Sequence, residues 1–335
     1  MMRHAGVVLV RLPNWLGDTI MALPALHGLR AAYPDVCVVA IGRWASLLAG
    51  QGVADALVPY PSSAGPRRRL AAALRGMHAA VALLLPGSFE SAVAAVGWRA
   101  RTRLGYDTDL RGPLLSHAVP LPSPRRHQVD EYRGLLEAVG IAAPETTPVW
   151  RLGVDAAAAE LISAWLREAG VSDGRPPVGL HLGASFGSSK LWPAAAFGEA
   201  ASHLRERGLH PVLLGSPDDT GMAAAVSSVA GWAVPSLVGR DRLELLPRLL
   251  ARLACLISSD TGVAHLAAAV GTPTVTLFGP TDPRLTAPRS RTARAVEGRA
   301  PCAPCFLPRC PIDHVCMRDI TVASVVLAVE EVQVT

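Results

Sequence analysis

The sequence predicts an α/β protein of two doubly wound domains, each a parallel sheet with helices on both faces, facing each other across a cleft. Three observations lead there. Short apolar runs alternate with helix-length segments along the whole chain, the βαβ rhythm of a parallel sheet. The chain has 335 residues, 50% of them hydrophobic, which suits two cores of ordinary size. A segment at 141–154, rich in Ala, Thr and Pro and without periodicity, separates the halves as a linker. The domains are therefore drawn as 1–150 and 151–335.

In the first half, strands are expected at 7–12, 36–41, 56–58, 80–85 and 114–119, where apolar residues run together. Helix-length segments at 19–32, 44–49, 68–75, 89–96 and 129–139 lie between them. A helix at 155–169 leads into the second half. Strands follow at 178–182, 211–214, 236–238, 255–258 and 274–278, and helices at 194–206, 220–229, 243–252 and 261–270. Pro193 suits the start of one helix, while Gly271 and Pro273 stop another. A last helix at 322–332 is free to pack back on the first domain.

The charge balance is +5 with a pI near 9.1, a mild bias toward anionic partners such as phosphates, nucleotides or an acidic membrane surface. Nucleic acid is not expected, since no basic residues interleave with aromatics, which make up only 5% of the chain. No apolar run is long enough to span a bilayer, and the first one is broken by Arg11 and Asp18. The expected location is the cytoplasm.

Six cysteines fall into two groups. Cys37 and Cys255 sit in apolar strands and read as core residues. Cys302, Cys305, Cys310 and Cys316 crowd into one segment with His314. In a cytoplasmic protein such crowding suggests zinc before disulfide. Only one C-x-x-C is present, however, and Pro301, Pro304, Pro308 and Pro311 stiffen the segment, so free thiols or a labile disulfide compete with zinc.

Ligands of doubly wound folds bind off the carboxyl ends of the strands. After the first strand, Pro13-Asn14 and Gly17-Asp18 turn the chain into a helix. Asp18 there is either an N-cap or a general base. The segment from Gly183 to Pro193 offers backbone N–H groups, hydroxyls and the point charge of Lys190 to an anion. It is not a P-loop, because no Gly precedes Lys190 and no Ser or Thr follows it. It contains Gly-x-Ser-x-Gly around Ser185, but a polar loop follows where a nucleophile elbow would enter its helix. No Gly-x-Gly-x-x-Gly follows a predicted strand, which argues against a dinucleotide oxidoreductase. The run Ser258-Ser259-Asp260-Thr261-Gly262-Val263-Ala264-His265 joins a buried strand to a helix. Asp260 or Thr261 is a simple cap there, or the helix start is a phosphate site.

Together these motifs resemble the ADP-heptose:lipopolysaccharide heptosyltransferases of glycosyltransferase family nine. The resemblance rests on Leu16-Gly17-Asp18 with Leu23-Pro24-Ala25-Leu26, Gly183-Ala184-Ser185 with Lys190-Leu191-Trp192-Pro193, and the 259–265 turn. Leu277-Phe278-Gly279-Pro280-Thr281-Asp282-Pro283 and the Cys-rich segment extend it, the latter in the manner of the heptosyltransferase II branch. It runs from about residue 7 to 320.

The resemblance implies a GT-B fold, with an acceptor-binding first domain and a donor-binding second domain. It also implies inverting transfer of a heptose from ADP-heptose, with no cofactor and no catalytic metal. Asp18 matches the base, with Gly17 beside it, and Lys190 the lysine that meets the donor pyrophosphate. Asp260, Thr261, Gly262, Val263 and His265 match the donor turn, and Ser185 a small hydroxyl residue near the phosphates. Asp218 or Asp219 falls where the family often has an acid near the ribose. The implied acceptor is an anionic sugar or glycolipid of the lipopolysaccharide inner core, with peripheral contact to the cytoplasmic face of the inner membrane. Arg67, Arg68 and Arg69, and Arg99, Arg101 and Arg103, either face acceptor phosphates or an anionic leaflet, or form a solvated surface. The rival readings are a GT-B transferase with another nucleotide sugar or a non-lipopolysaccharide acceptor such as a natural-product glycoside, a hydrolase using Ser185, and a non-catalytic nucleotide-sugar binder.

Overall fold

The computed structural model describes residues 6–171, 174–240 and 242–334. The chain divides into two compact units, Met1–Val149 and Trp150–Thr335.

In the first unit the order is β1 (Val7–Arg11), α1 (Leu16–Met21), α2 (Leu23–Ala32), β2 (Cys37–Gly42), β3 (Ala56–Pro59), α3 (Ala64–Gly76), β4 (Val81–Leu84), α4 (Phe89–Trp98), β5 (Thr102–Asp107), β6 (His117–Pro120) and α5 (Gln128–Glu137). The strands form one parallel sheet in the order β3-β2-β1-β4-β5-β6. Chain order reverses between β1 and β4, so the loops after those strands diverge to opposite faces and leave a crevice at their carboxyl ends. Leu9, Val39, Ile41, Leu84 and Trp98 are among the residues that pack one face.

The second unit contains α6 (Ala156–Glu168), β7 (Pro177–His181), α7 (Ala194–Glu206), β8 (His210–Leu214), α8 (Thr220–Ala230), α9 (Leu246–Leu250), β9 (Cys255–Ser259), α10 (Gly262–Val270), β10 (Thr274–Phe278), α11 (Pro283–Thr286), β11 (Ala293–Glu297), α12 (Val315–Asp319) and α13 (Val322–Val334). Its parallel sheet runs β11-β10-β9-β7-β8, with the reversal between β7 and β9. Trp192 and Phe197 meet edge to face at 5.0 Å in the core of this unit.

Several elements differ from the sequence expectation for identifiable reasons. The helix expected at 19–32 is two helices broken at Ala22, because Pro24 has no N–H to continue the ladder. β5 was hidden by Arg103, Gly105 and Asp107, and the edge strand β11 by Arg294 and Glu297. The run expected at 114–119 yields only β6, since Gly112–Leu114 is a 3₁₀ turn. Ser236 makes a single bridge to Leu213 rather than a strand. Pro247 occupies the first turn of α9 and so fixes a late start for the helix expected at 243–252. Residues 141–154 carry no helix or strand, and Asp155 caps α6 by accepting from the Ala158 N–H at 3.0 Å. The apolar face of α13, with Val325, Val329 and Val332, is buried against α7 and β9–β11 of its own unit.

Candidate active site

In the first unit, β1 delivers the chain to α1. Trp15 stands at the N-cap of α1 and its side chain makes no cap hydrogen bond. Asp18 is the third helical residue, so the N-cap expectation for it is corrected: it is a half-buried first-turn carboxylate, favoured there by the helix dipole. Gly17 beside it is buried. Tyr132 of α5 lies near enough that its hydroxyl pKa is driven well up, by burial first and by the Asp18 charge next.

A polar lattice joins the carboxyl ends of the neighbouring strands, and the sequence analysis did not single it out. Arg11, only 1% exposed, donates to the Leu12 carbonyl at 2.6 Å and to Asn14 Oδ1 at 2.8 Å. Its guanidinium lies 4.0 Å over the Tyr60 ring. Tyr60 donates to Glu90 at 2.5 Å, and Arg67 approaches Glu90 to 3.5 Å. The available signal was an arginine ending an apolar strand, which is costly unless it is paired. Of the arginines flagged by sequence, Arg68, Arg69, Arg99 and Arg101 are exposed. Arg103 instead donates to the Leu114 and Ala100 carbonyls, a structural role. Asp109 accepts the Phe89 N–H at 2.7 Å.

In the second unit the loop after β7 passes through a 3₁₀ turn, Ser188–Lys190, before α7 begins at Ala194 with Pro193 at its cap. Lys190 is buried. It donates to Asp260 Oδ2 at 2.6 Å and to the Asp260 carbonyl at 2.9 Å, and stands 4.7 Å over the Phe186 ring. Asp260 Oδ2 also accepts from the Thr281 hydroxyl at 2.8 Å, and His265 Nε2 lies 4.0 Å from Oδ1. Asp260 is therefore an anchor for Lys190 rather than a cap. Thr261 holds the N-cap position of α10, yet its side chain makes no cap bond and meets Ser258 Oγ at 3.0 Å. The cap alternative is corrected for Asp260, whereas Thr261 takes the cap position without a capping bond. The first N–H groups of α10, at Gly262, Val263 and Ala264, have no partner within the helix, and Gly262 and Val263 are partly open to solvent.

Ser185 is exposed, and among the described residues it makes no hydrogen bond to a histidine. Strand, loop and late helix do not form a nucleophile elbow, so the hydrolase alternative has no geometric support. Asp219 accepts from the Ser216 N–H at 2.7 Å and hydroxyl at 2.9 Å, closing a capping box. Asp218 beside it is exposed.

The Cys-rich segment is tied to the loops that follow β7 and β10. The Phe306 N–H donates to the Pro280 carbonyl at 2.8 Å, and the Pro308 carbonyl accepts the Ser189 N–H at 3.2 Å. A Cβ on Gly187 would come within 2.1 Å of that Pro308 oxygen, and its φ of +149° also favours glycine. Cys302, Cys305, Cys310 and Cys316 are free thiols, and among the described residues no three His, Cys, Asp or Glu side chains form a metal-holding group.

Comparison with known proteins agrees with this layout. Residues 67–316 match the model of glycosyltransferase family 9 (heptosyltransferase). Lipopolysaccharide heptosyltransferase 2 of Salmonella typhimurium is 31% identical over 311 residues, 87% of each chain. The structure of E. coli ADP-heptose lps heptosyltransferase II superposes with a TM-score of 0.79 at 26% identity, covering 98% of both chains. An E. coli heptosyltransferase solved with ADP superposes at 0.73 with 20% identity over 97% of this chain and 99% of that one. The chain belongs to glycosyltransferase family 9, the heptosyltransferases, and has their GT-B fold.

Proposed function

We propose that this heptosyltransferase moves a heptose from ADP-heptose to an anionic sugar of the lipopolysaccharide inner core, with inversion and without a metal ion. One observation carries the reading. A buried lysine is fastened at the N-terminus of a helix that follows a central strand, where a diphosphate finds both a cation and unpaired N–H groups. Asp260 holds Lys190 in place and is itself held by the Thr281 hydroxyl, and the lysine charge offsets the carboxylate so that it does not repel the ligand.

In the reaction, Asp18 takes the proton of the acceptor hydroxyl as its oxygen bonds to the anomeric carbon. The bond from that carbon to the diphosphate oxygen breaks, and the electron pair leaves with ADP. Lys190 and the α10 N–H groups stabilise the charge that builds on the leaving oxygen. His265, Val263 and Ser185 line the donor side of this reading, and Asp218 is left for the ribose because Asp219 is engaged in its cap. Among the described residues no helix is long and apolar enough to cross a membrane. Exposed Arg68 and Arg69 on α3 suit peripheral contact with an anionic leaflet on the cytoplasmic side.

The test is a thermal-shift screen of nucleotide sugars followed by transfer to lipopolysaccharide core acceptors, with the anomeric configuration read by NMR. ADP-heptose should stabilise the protein more than UDP- or GDP-sugars. Preference for another nucleotide, or transfer only to a non-lipopolysaccharide acceptor, would replace the donor or acceptor named here.

A further inference from the structure

His181 ends β7, at the point where strand order reverses, and lies directly opposite Ser258 of β9 in the sheet register. Both side chains are buried, His181 at 8% exposure and Ser258 at 0%. The sequence did not mark His181, and Ser258 entered only as the first residue of the 258–265 run. We propose that His181 is a positioning residue for the donor turn: its Nδ1–H fixes the Ser258 hydroxyl, which in turn orients the hydroxyl of Thr261. The inference rests on reading the start of α10 as the donor diphosphate site.

The geometry of Ser258 carries it. Ser258 Oγ has three polar neighbours: the Ser259 carbonyl at 2.8 Å, Thr261 Oγ1 at 3.0 Å and His181 Nδ1 at 3.3 Å. A serine hydroxyl has one proton and two lone pairs. The proton goes to the Ser259 carbonyl, which can only accept. Both other neighbours must then donate, and Nδ1 of His181 carries the hydrogen. This tautomer is assigned by counting hydrogen bonds. It is also the one that lets the turn respond to an anion. When a phosphate oxygen arrives, the Thr261 proton turns outward to it, and Ser258 redirects its own proton to Thr261 Oγ1. His181 remains the fixed donor at the inner end, so Ser258 keeps a partner on each side and no heavy atom needs to move. With the hydrogen on Nε2 instead, Nδ1 would compete for the Ser258 proton and hold the Thr261 proton inward. The imidazole stays neutral as this requires, because burial pushes its pKa down to about 4 against the opposing pull of the Asp219 carboxylate.

The experiment compares His181→Asn, whose side-chain amide can donate where Nδ1–H does, with His181→Leu, which cannot. ADP affinity is measured by calorimetry and transfer by steady-state kinetics, with thermal melts to confirm folding. His181→Leu should weaken ADP about tenfold and raise donor KM by a similar factor, with kcat within about threefold of the parent. His181→Asn should stay within about twofold on both counts. In a Thr261→Val background, His181→Leu should weaken ADP no further. Nitrogen NMR of the imidazole should show the hydrogen on Nδ1. Equal losses for Leu and Asn, no loss for Leu, additivity with Thr261→Val, or an Nε2–H tautomer would each overturn the inference. Lys190→Ala, measured alongside, separates this failure from that of the donor site: unchanged ADP binding in that variant would remove the site itself.

Discussion

The carboxyl edges of the two sheets are built on opposite plans. In the second unit the polar groups are buried or half-buried and bonded mostly to each other: Lys190 to Asp260, Asp260 to Thr281, His181 to Ser258 and Ser258 to Thr261. In the first unit Arg11 is buried, but Glu90 and Arg67 are about two-fifths exposed, and Trp15 and Phe89 stand out into solvent. A closed network is preorganised for one ligand and costs little to reorganise on binding. An open rim of aromatic and cationic side chains suits a larger anionic partner with an exposed surface. The difference is the one expected if the second unit holds the leaving diphosphate and the first takes the acceptor, as proposed above.

The largest effect expected belongs to Asp18, the first-turn carboxylate of α1 on the open side. Asp18→Asn should reduce transfer by roughly two to four orders of magnitude while leaving ADP affinity nearly unchanged. Single-turnover kinetics and calorimetry would measure both. Near-parental turnover would remove Asp18 as the base and leave the first unit with recognition alone.

Next comes the closed side. Lys190→Ala should weaken ADP and slow transfer together, by about a hundredfold in kcat/KM, because it removes charge needed at the leaving group and leaves Asp260 buried without its cation. A loss confined to KM would show that Lys190 holds the donor equally in ground and transition states.

His181 ties the same network to pH. Its folded pKa of about 4 lies below the ordinary 6.5, so the native state binds fewer protons than the unfolded chain between those values. The stability it contributes is complete above pH 6.5 and falls as pH drops toward 4, by up to about 3 kcal/mol. Urea unfolding at several pH values should show this slope in the parent and lose it in His181→Asn. An unchanged slope would assign the acid sensitivity elsewhere.

The second unit's polar site was legible in the sequence because its groups are contiguous in short motifs: Lys190 before Trp192-Pro193, and Asp260 and Thr261 before Gly262. What was not legible is how they connect. Lys190 and Asp260 are far apart in the chain, and only the β7–β9 pairing brings their loops together. The cap reading of Asp260 was reasonable by residue type, and its tertiary partners Lys190 and Thr281 overrode it. The Arg11–Tyr60–Glu90–Arg67 lattice was invisible for a related reason: its members come from four separate elements, with no motif to mark them. Strands β5 and β11 were missed because edge or near-edge strands tolerate the charged residues that mask the apolar pattern.

A smaller effect should come from the open rim. Arg67 is 39% exposed and its pair with Glu90 is screened by solvent, so Arg67→Ala should change unfolding stability by no more than about 1 kcal/mol. Its KM for an anionic acceptor should nevertheless rise by about threefold to tenfold, and the difference should shrink as salt is raised. A neutral acceptor should show no such change. Equal effects on both acceptors would mean that the lattice only braces the fold and that the two edges differ less than proposed.

The smallest effect expected is none. If Lys190 and the start of α10 supply the positive charge, then transfer should continue undiminished in excess EDTA, and magnesium or manganese should add nothing. The Cys-rich segment complicates the measurement, because it contacts the loops after β10 and β7 through Phe306 and Pro308. An ion held by its thiols would brace those loops, and its slow removal would resemble a catalytic requirement. Time separates the two. A diphosphate-bound ion exchanges with substrate and would be lost within minutes, whereas a loss that follows unfolding of the segment would develop slowly and track zinc released from the protein. Activity measured immediately after EDTA, beside the zinc content of the purified chain, therefore decides the matter. Immediate inactivation that magnesium restores would show that the closed network does not carry the leaving-group charge by itself.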